Sequence, residues 1–255
     1  MSLRARPLAL TLLWLVSGAL LGARTPQPEE APETRVWLWA WERPENLRFL
    51  EGRRDVGVAF LARTIVVAGD RVTVRPRRNP LFVHPRTPLT AVIRVESSRG
   101  IAPSQSTFDT ITAEASAVLA SAHTNRLQID FDARASEIPY YRAMLARLRT
   151  TLPVGTSLGI TALAAWCADS RSWLGDPPPV DEIVPMVFSM GLVGSRVRVW
   201  LAAGGEFPVE ACRAGFGFST AEPVNVPIRA HVLHVFSPVP WSPDPVSNLP
   251  LWNRP

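Results

Sequence analysis

RLQIDFDAR, residues 126–134, reads as a strand with two unlike faces. Leu127, Ile129 and Phe131 alternate with Gln128, Asp130 and Asp132, and successive side chains of a strand point to opposite faces. The apolar set predicts packing beneath a layer of helices. The polar set predicts two carboxylates directed into an interior, where a chain keeps acids that are paired, hydrogen-bonded or used for chemistry. A strand that is apolar outside and polar inside is what a parallel barrel offers, with its site at the carboxyl ends of the strands.

The rest of the chain repeats the rhythm of strand then helix. RVWLWAW (35–41), VGVAFLA (56–62), TAVIRVE (90–96), LQIDFD (127–132), SLGITALAAW (157–166), EIVPMVF (182–188), GFGFS (215–219) and AHVLHVF (230–236) read as eight strands. RVRVWLAAG (196–204) is a shorter strand-like segment between the sixth and seventh. Helical spacing is seen in 108–123, through Ile111, Ala115, Val118 and Ala122, and again through Tyr141, Met144, Leu145, Leu148 and Leu152. Ser136 reads as the N-cap of that second helix, and Pro153 and Gly155 end it. A short helix is expected from Pro44 to Leu50. TIVVAGDRVTVRPR (64–77) alternates around Gly69-Asp70 as a β-hairpin inserted after the second strand. The expected fold is α/β, a (β/α)8 TIM-type barrel. The alternative is an open doubly wound sheet, but no glycine-rich dinucleotide turn follows the first strand.

The 255 residues, 47% of them hydrophobic, suffice for one large core. Every one of the 27 basic residues is arginine, and they are scattered, with Arg75, Arg77 and Arg78 the one group of three within four residues. A net charge of +5 without a basic stripe and interleaved aromatics argues against a nucleic-acid partner.

Residues 1–23 read as a secretory signal: Arg4 and Arg6, then an apolar run from Leu8 to Leu21, then Gly22 and Ala23. Leu21 makes a poor cleavage position, so an uncleaved N-terminal anchor is the alternative, and a membrane is a partner only in that case. Residues 24–34 form a proline-rich linker, and 35–255 form the barrel domain with a proline-rich C-terminal tail. The expected location is periplasmic or extracellular. Export permits a disulfide between Cys167 and Cys212. The strand order argues against it: Cys167 follows the carboxyl end of the fifth strand, whereas Cys212 precedes the amino end of the seventh, at the opposite mouth.

The same alternation populates the lumen. In the third strand Val92, Arg94 and Glu96 share a face, which brings Arg94 and Glu96 toward the acids of the fourth. The fifth strand contributes Ser157, Gly159 and Thr161, and either Arg94 or Thr161 is expected to donate to Asp130. Asp130, nearer the packed centre, is expected to be buried, and Asp132, at the strand end, accessible. Trp37, Trp39 and Trp41 share one face of the first strand, with Trp41 at its end, and Trp241 follows the eighth strand, the first strand's neighbour in a closed barrel. Indole rings stack on sugar faces while offering a donor. No histidine pair has ligand spacing, so neither a metal nor a cofactor is expected. No Gly-x-Ser-x-Gly elbow is present for a nucleophilic serine.

LQIDFDARASE, GITALAAWC, VDEIVPMVFSMG and VFSPVPWSP, with VWLWAWERP and TAVIRVE, together resemble the bacterial domain of unknown function 3142 family over about residues 35–245. That resemblance implies a glycoside-hydrolase-like barrel. A more distant similarity is to family 18 glycoside hydrolases, the chitinases, whose fourth strand ends in Asp-Gly-x-Asp-x-Asp-x-Glu. Asp130 and Asp132 match its middle pair, while Leu127 stands for the first Asp and Arg134 for the Glu. The sixth-strand signature Met-x-Tyr-Asp corresponds to Met186, Phe188 and Ser189.

Two readings of function follow. The first is an exported barrel cleaving a glycosidic bond of a polysaccharide with paired carboxylates. Its candidate catalytic residues are Asp132, Asp130, Glu96 and Glu222, with Asp132 as the acid, its pKa raised by Asp130. Its candidate substrate-binding residues are Trp39, Trp41, Arg94, Thr161, Phe188 and Trp241. The second is a non-catalytic barrel that binds a polysaccharide or oligosaccharide, or associates with the envelope.

Overall fold

A computed structural model describes residues 35–98, 104–191, 194–222 and 230–247. The expected signal, the linker and the end of the proline-rich tail lie outside these residues. Eight parallel strands close into a barrel: β1 (Val36–Ala40), β3 (Val56–Ala68), β6 (Leu89–Ser97), β7 (Arg126–Asp130), β8 (Ser157–Leu163), β9 (Glu182–Met186), β10 (Gly215–Ser219) and β11 (Val232–Phe236). Closure is made by β1, which pairs with β11 on one side and β3 on the other. Helices are distributed around it as α1 (Gln105–Ala122), α2 (Ile138–Thr151), α3 (Ala164–Ala168), α4 (Gly194–Ala202) and α5 (Pro243–Ser247). The architecture is a TIM-like α/β barrel.

The helix ring is incomplete. Between β1 and β3 the chain makes β2 (Glu45–Asn46) and a single 3-10 turn, Arg48–Leu50, where a short helix was expected. The backbone there is drawn into a two-stranded parallel ribbon with β5 (Leu81–Phe82), and that pairing overrides the helix signal of Pro44. Past the barrel rim β3 continues, shifted in register between Leu61 and Arg63, and pairs antiparallel with β4 (Arg71–Pro76), Val67 lying opposite Val72. Arg77 follows β4. Its guanidinium donates to the carbonyls of Ala40, Trp41, Arg43 and Asn79, so this one arginine ties down backbone at the barrel rim.

Burial follows the strand period. Leu127, Ile129 and Phe131 join the core between barrel and helices, with Ile111, Ala115 and Val118 of α1 and Tyr141, Met144, Leu145 and Leu148 of α2. Ser104, not a residue of the helix itself, caps α1 by accepting from the Thr107 N–H. The start of α2 also differs from expectation: Ser136 lies in a 3-10 turn, and Glu137 is the cap residue. Residues 196–204 fall mostly in α4 rather than a strand. Their Val–Arg alternation looks extended, but Val197 and Leu201 are buried while Val199 is exposed, and that four-residue spacing is helical.

Inside the barrel, Trp37, Trp39, Ala59 and Val92 form a second apolar cluster. The ring of Trp37 occupies the space over Gly57 of the neighbouring strand: a Cβ there would lie 2.4 Å from Trp37 Cζ3. Glycine at 57 is therefore what lets a full indole fill the lumen. Gly57→Ala is expected to destabilise the barrel by about 1–3 kcal/mol through overpacking. Chemical denaturation checks this, and an unchanged midpoint would mean that Trp37 has another place to go.

The cysteines contradict the expectation. Cys167 and Cys212 are bonded, with Cα atoms 5.8 Å apart, and both are fully buried. The two cysteines would lie at opposite mouths only if each stayed at the end of its strand. Instead α3 begins directly after β8, and both α3 and the 3-10 turn Glu210–Cys212 pack on β9, so the two segments meet outside that strand. Among the described residues no helix is long and apolar enough to cross a membrane.

Candidate functional site at the carboxyl mouth of the barrel

At the carboxyl end of the strands the lumen opens into a cavity of about 620 Å³. Asp130 sits at its floor, the last residue of β7, beside Arg94 of β6 in direct register. Arg94 Nη1 donates to Asp130 Oδ2 at 2.7 Å, and Thr161 Oγ1 donates to Asp130 Oδ1 at 2.7 Å. Both expected donors are present, one on each neighbouring strand. Asp130 is 2% exposed. The Asp132 side chain, two residues on, is 46% exposed and touches Arg94 Nη2 at 3.4 Å. Asp130 closes the strand inside the lumen, whereas Asp132 lies in the segment beyond the strand end.

Burial raises the Asp130 carboxyl above its ordinary pKa; the Arg94 charge opposes this, the neighbouring Asp132 charge adds to it, and the Thr161 hydrogen bond opposes it again. An elevated acid was expected at position 132; the structure places one at Asp130. Arg94 is itself raised, because the charges of Asp130, Asp132 and Glu96 outweigh its partial burial. Tyr141, on the buried face of α2, lies in the field of the same acids, and burial and that field push its hydroxyl far up.

Glu222, after β10, also lines the cavity. It accepts from the Ser189 N–H at 3.0 Å, from Ser189 Oγ at 3.3 Å and from Arg198 Nη1 at 2.8 Å. Ser189 has φ +50°, a left-handed conformation unusual outside glycine, and the Glu222 carboxylate holds that turn. Trp39, Trp41, Phe188 and Phe236 supply an aromatic wall, with Trp39–Phe236 ring centroids 4.3 Å apart and Phe188–Phe236 4.5 Å apart. Arg94 stands 5.7 Å from the Trp41 ring.

Three candidates fall elsewhere. Glu96 does not line the cavity. It pairs with Arg75 of β4 at 2.9 Å, reached across the intervening β3, and with Arg94 Nε at 3.5 Å. Trp241 is core rather than a stacking platform: its indole Nε1 donates to the Trp39 carbonyl and its backbone N–H to Glu45, each at 2.9 Å. Thr161 lies behind Asp130, 1% exposed, and reaches the cavity only through that acid. Arg134 donates to Ser97 and pairs with Glu137 at 3.1 Å.

Sequence reading missed Phe236, Met186 and Met190 in the cavity lining, and a polar chain below it. Trp39 Nε1 donates to His234 Nδ1 at 3.2 Å. Nδ1 must then carry a lone pair, so Nε2 holds the proton and donates to Glu182 Oε1 at 3.1 Å. Arg126 Nη2 bonds the other Glu182 oxygen at 3.3 Å and lies 4.8 Å from the Trp37 ring. Burial pushes Glu182 up, and His234 and Arg126 outweigh it and hold the carboxyl below its usual range. The alternation Val232, His234, Phe236 in β11 carried the signal for the histidine and for Phe236. Gln128, between this chain and Asp130 on the β7 face, has both amide atoms buried without a protein partner. Among the described residues no cluster of three or more His, Cys, Asp or Glu could hold a metal ion.

No curated protein matches the chain. Residues 85–190, which carry Arg94, Asp130, Asp132 and Phe188, match the family model described as Domain of unknown function (DUF3142), and this match supports that family for the chain.

Proposed function

We propose that the mouth cavity binds an oligosaccharide and does not cleave it. The observation that carries this reading is that two of the three carboxylates lining the cavity are held by arginines, Asp130 by Arg94 at 2.7 Å and Glu222 by Arg198 at 2.8 Å, so that Asp132, with one contact of 3.4 Å to Arg94, has no unengaged carboxylate beside it to complete a catalytic pair, while aromatic rings line the same cavity. A glycosidase needs a protonated acid within reach of the leaving oxygen. The raised carboxyl here, Asp130, is buried, with both oxygens already engaged. The departure of Arg134 from the hydrolase pattern agrees with binding alone. The buried disulfide fits folding in an oxidising compartment, which supports an exported protein.

The second reading, hydrolysis in a glycoside-hydrolase-like barrel, draws on the raised Asp130 beside the accessible Asp132. A glycan array with the full chain, read for retention and for released product, separates the two. Retained glycan with no shortened product is the expected result. Product that disappears in Asp132→Asn, with the melting curve unchanged, would establish the hydrolase instead. An array on which nothing is retained or cut would remove the sugar site altogether.

A further inference from the structure

The charges of the cavity do not cancel. Asp130 and Asp132 share one guanidinium, and Arg94 gives its short bond, 2.7 Å, to Asp130 while Asp132 receives a contact of 3.4 Å. The second oxygen of Asp130 is taken by Thr161, and both oxygens of Glu222 are taken by Ser189 and Arg198. The third nitrogen of Arg94 faces Glu96 at 3.5 Å. Three carboxylates are thus set against two guanidinium groups, and the excess negative charge resides at Asp132, the most open of the three acids.

A carboxylate has about four lone-pair directions, and Asp132 spends at most one on Arg94. Whatever enters must therefore bring donors. Aromatic faces carry negative charge density and attract cations, as the Trp41 ring does Arg94 at 5.7 Å, so the wall of Trp41, Phe188 and Phe236 does not oppose a cation beside Asp132. A ligand bearing a carboxylate would instead meet Asp132 as a like charge. The chain as a whole has a formal net charge of +5, which repels a cationic ligand at long range, so any preference for one must arise locally.

We infer that the cavity takes a sugar carrying a free amino group, a de-N-acylated hexosamine, with its ammonium at Asp132 and its ring against the aromatic wall. This rests on the sugar-site reading above and names the ligand class of that site.

Calorimetric titration of the full chain with three tetrasaccharides tests it: a glucosamine tetramer, its fully N-acetylated form and a galacturonate tetramer, each with wild type and Asp132→Asn. The glucosamine tetramer is expected to bind wild type about tenfold more tightly than the acetylated one, the worth of one charge-assisted hydrogen bond. Asp132→Asn is expected to bring the two affinities together, and the galacturonate tetramer to give no heat of binding in either. Equal binding of the first two by wild type, preferential binding of galacturonate, or an amine preference that survives Asp132→Asn would overturn the inference while leaving a sugar site in place. Binding of none of the three would overturn both.

Discussion

Reduction of the Cys167–Cys212 bridge is expected to lower the melting temperature by roughly 8–16 °C. The two cysteines are separated by 45 positions in sequence, and closing a loop of that length in the unfolded chain is worth about 4 kcal/mol on the chain-entropy scale. A domain of this size shifts by roughly 2–4 °C per kcal/mol. Cys212→Ala should reproduce the loss seen with reductant, and adding reductant to that variant should change nothing further. The bridge spans β9, joining the segment after β8 to the segment before β10, so its loss should first loosen this side of the barrel. Mass spectrometry of an unreduced digest gives the direct check: a linked peptide containing Cys167 and Cys212 is expected. Two free thiols in the folded protein would contradict the meeting of α3 with the 210–212 turn.

Asp130→Ala is expected to cost about 3 kcal/mol, or roughly 6–12 °C, because it leaves Arg94 and Thr161 without the acceptor they share. The figure sits at the lower end for a broken buried pair because Arg94 is 29% exposed and water can partly replace the lost partner. Asp132→Ala should shift the melting temperature by less than about 3 °C, since its contact is long and solvated. Thermal melts of the two variants decide the matter, and a larger loss at Asp132 would reverse the roles assigned to the pair. The pH dependence has a definite sign. The folded-state pKa of Asp130 is raised above 3.8, so the folded protein holds this proton more tightly than the unfolded chain does. The stability it contributes is complete below 3.8 and is lost as pH rises through the folded value. Wild type should therefore be most favoured over Asp130→Asn in acid and lose part of that margin toward neutrality, as measured by urea denaturation at several pH values. A margin that grows with pH would show that Arg94 and Thr161 outweigh burial.

Much of the barrel and the heart of its candidate site could be read from residues 126–134 and their counterparts. Strand alternation is a property of the local backbone, so it determined, without any knowledge of neighbours, that Asp130 and Asp132 face inward and that Leu127, Ile129 and Phe131 face the helices. Adjacency of consecutive parallel strands then placed Arg94 and Thr161 on either side of Asp130. The same rule, applied to β11, would have brought His234 and Phe236 to the lumen. Local rules erred where two periods compete in a short segment, as at 196–204, and where a distant strand captured the backbone, as at Glu45–Asn46.

What only the tertiary structure decided are the meetings set by loop paths and barrel closure. The pairing of Glu222 with Arg198, the diversion of Glu96 to Arg75, the burial of Trp241 behind Trp39 and the bridge from Cys167 to Cys212 join residues on segments whose relative positions no local pattern encodes. Alternation tells a residue which face it occupies. The length and direction of the connections between strands decide what it finds there, and those follow from the packing of the whole chain around β9 and the rim.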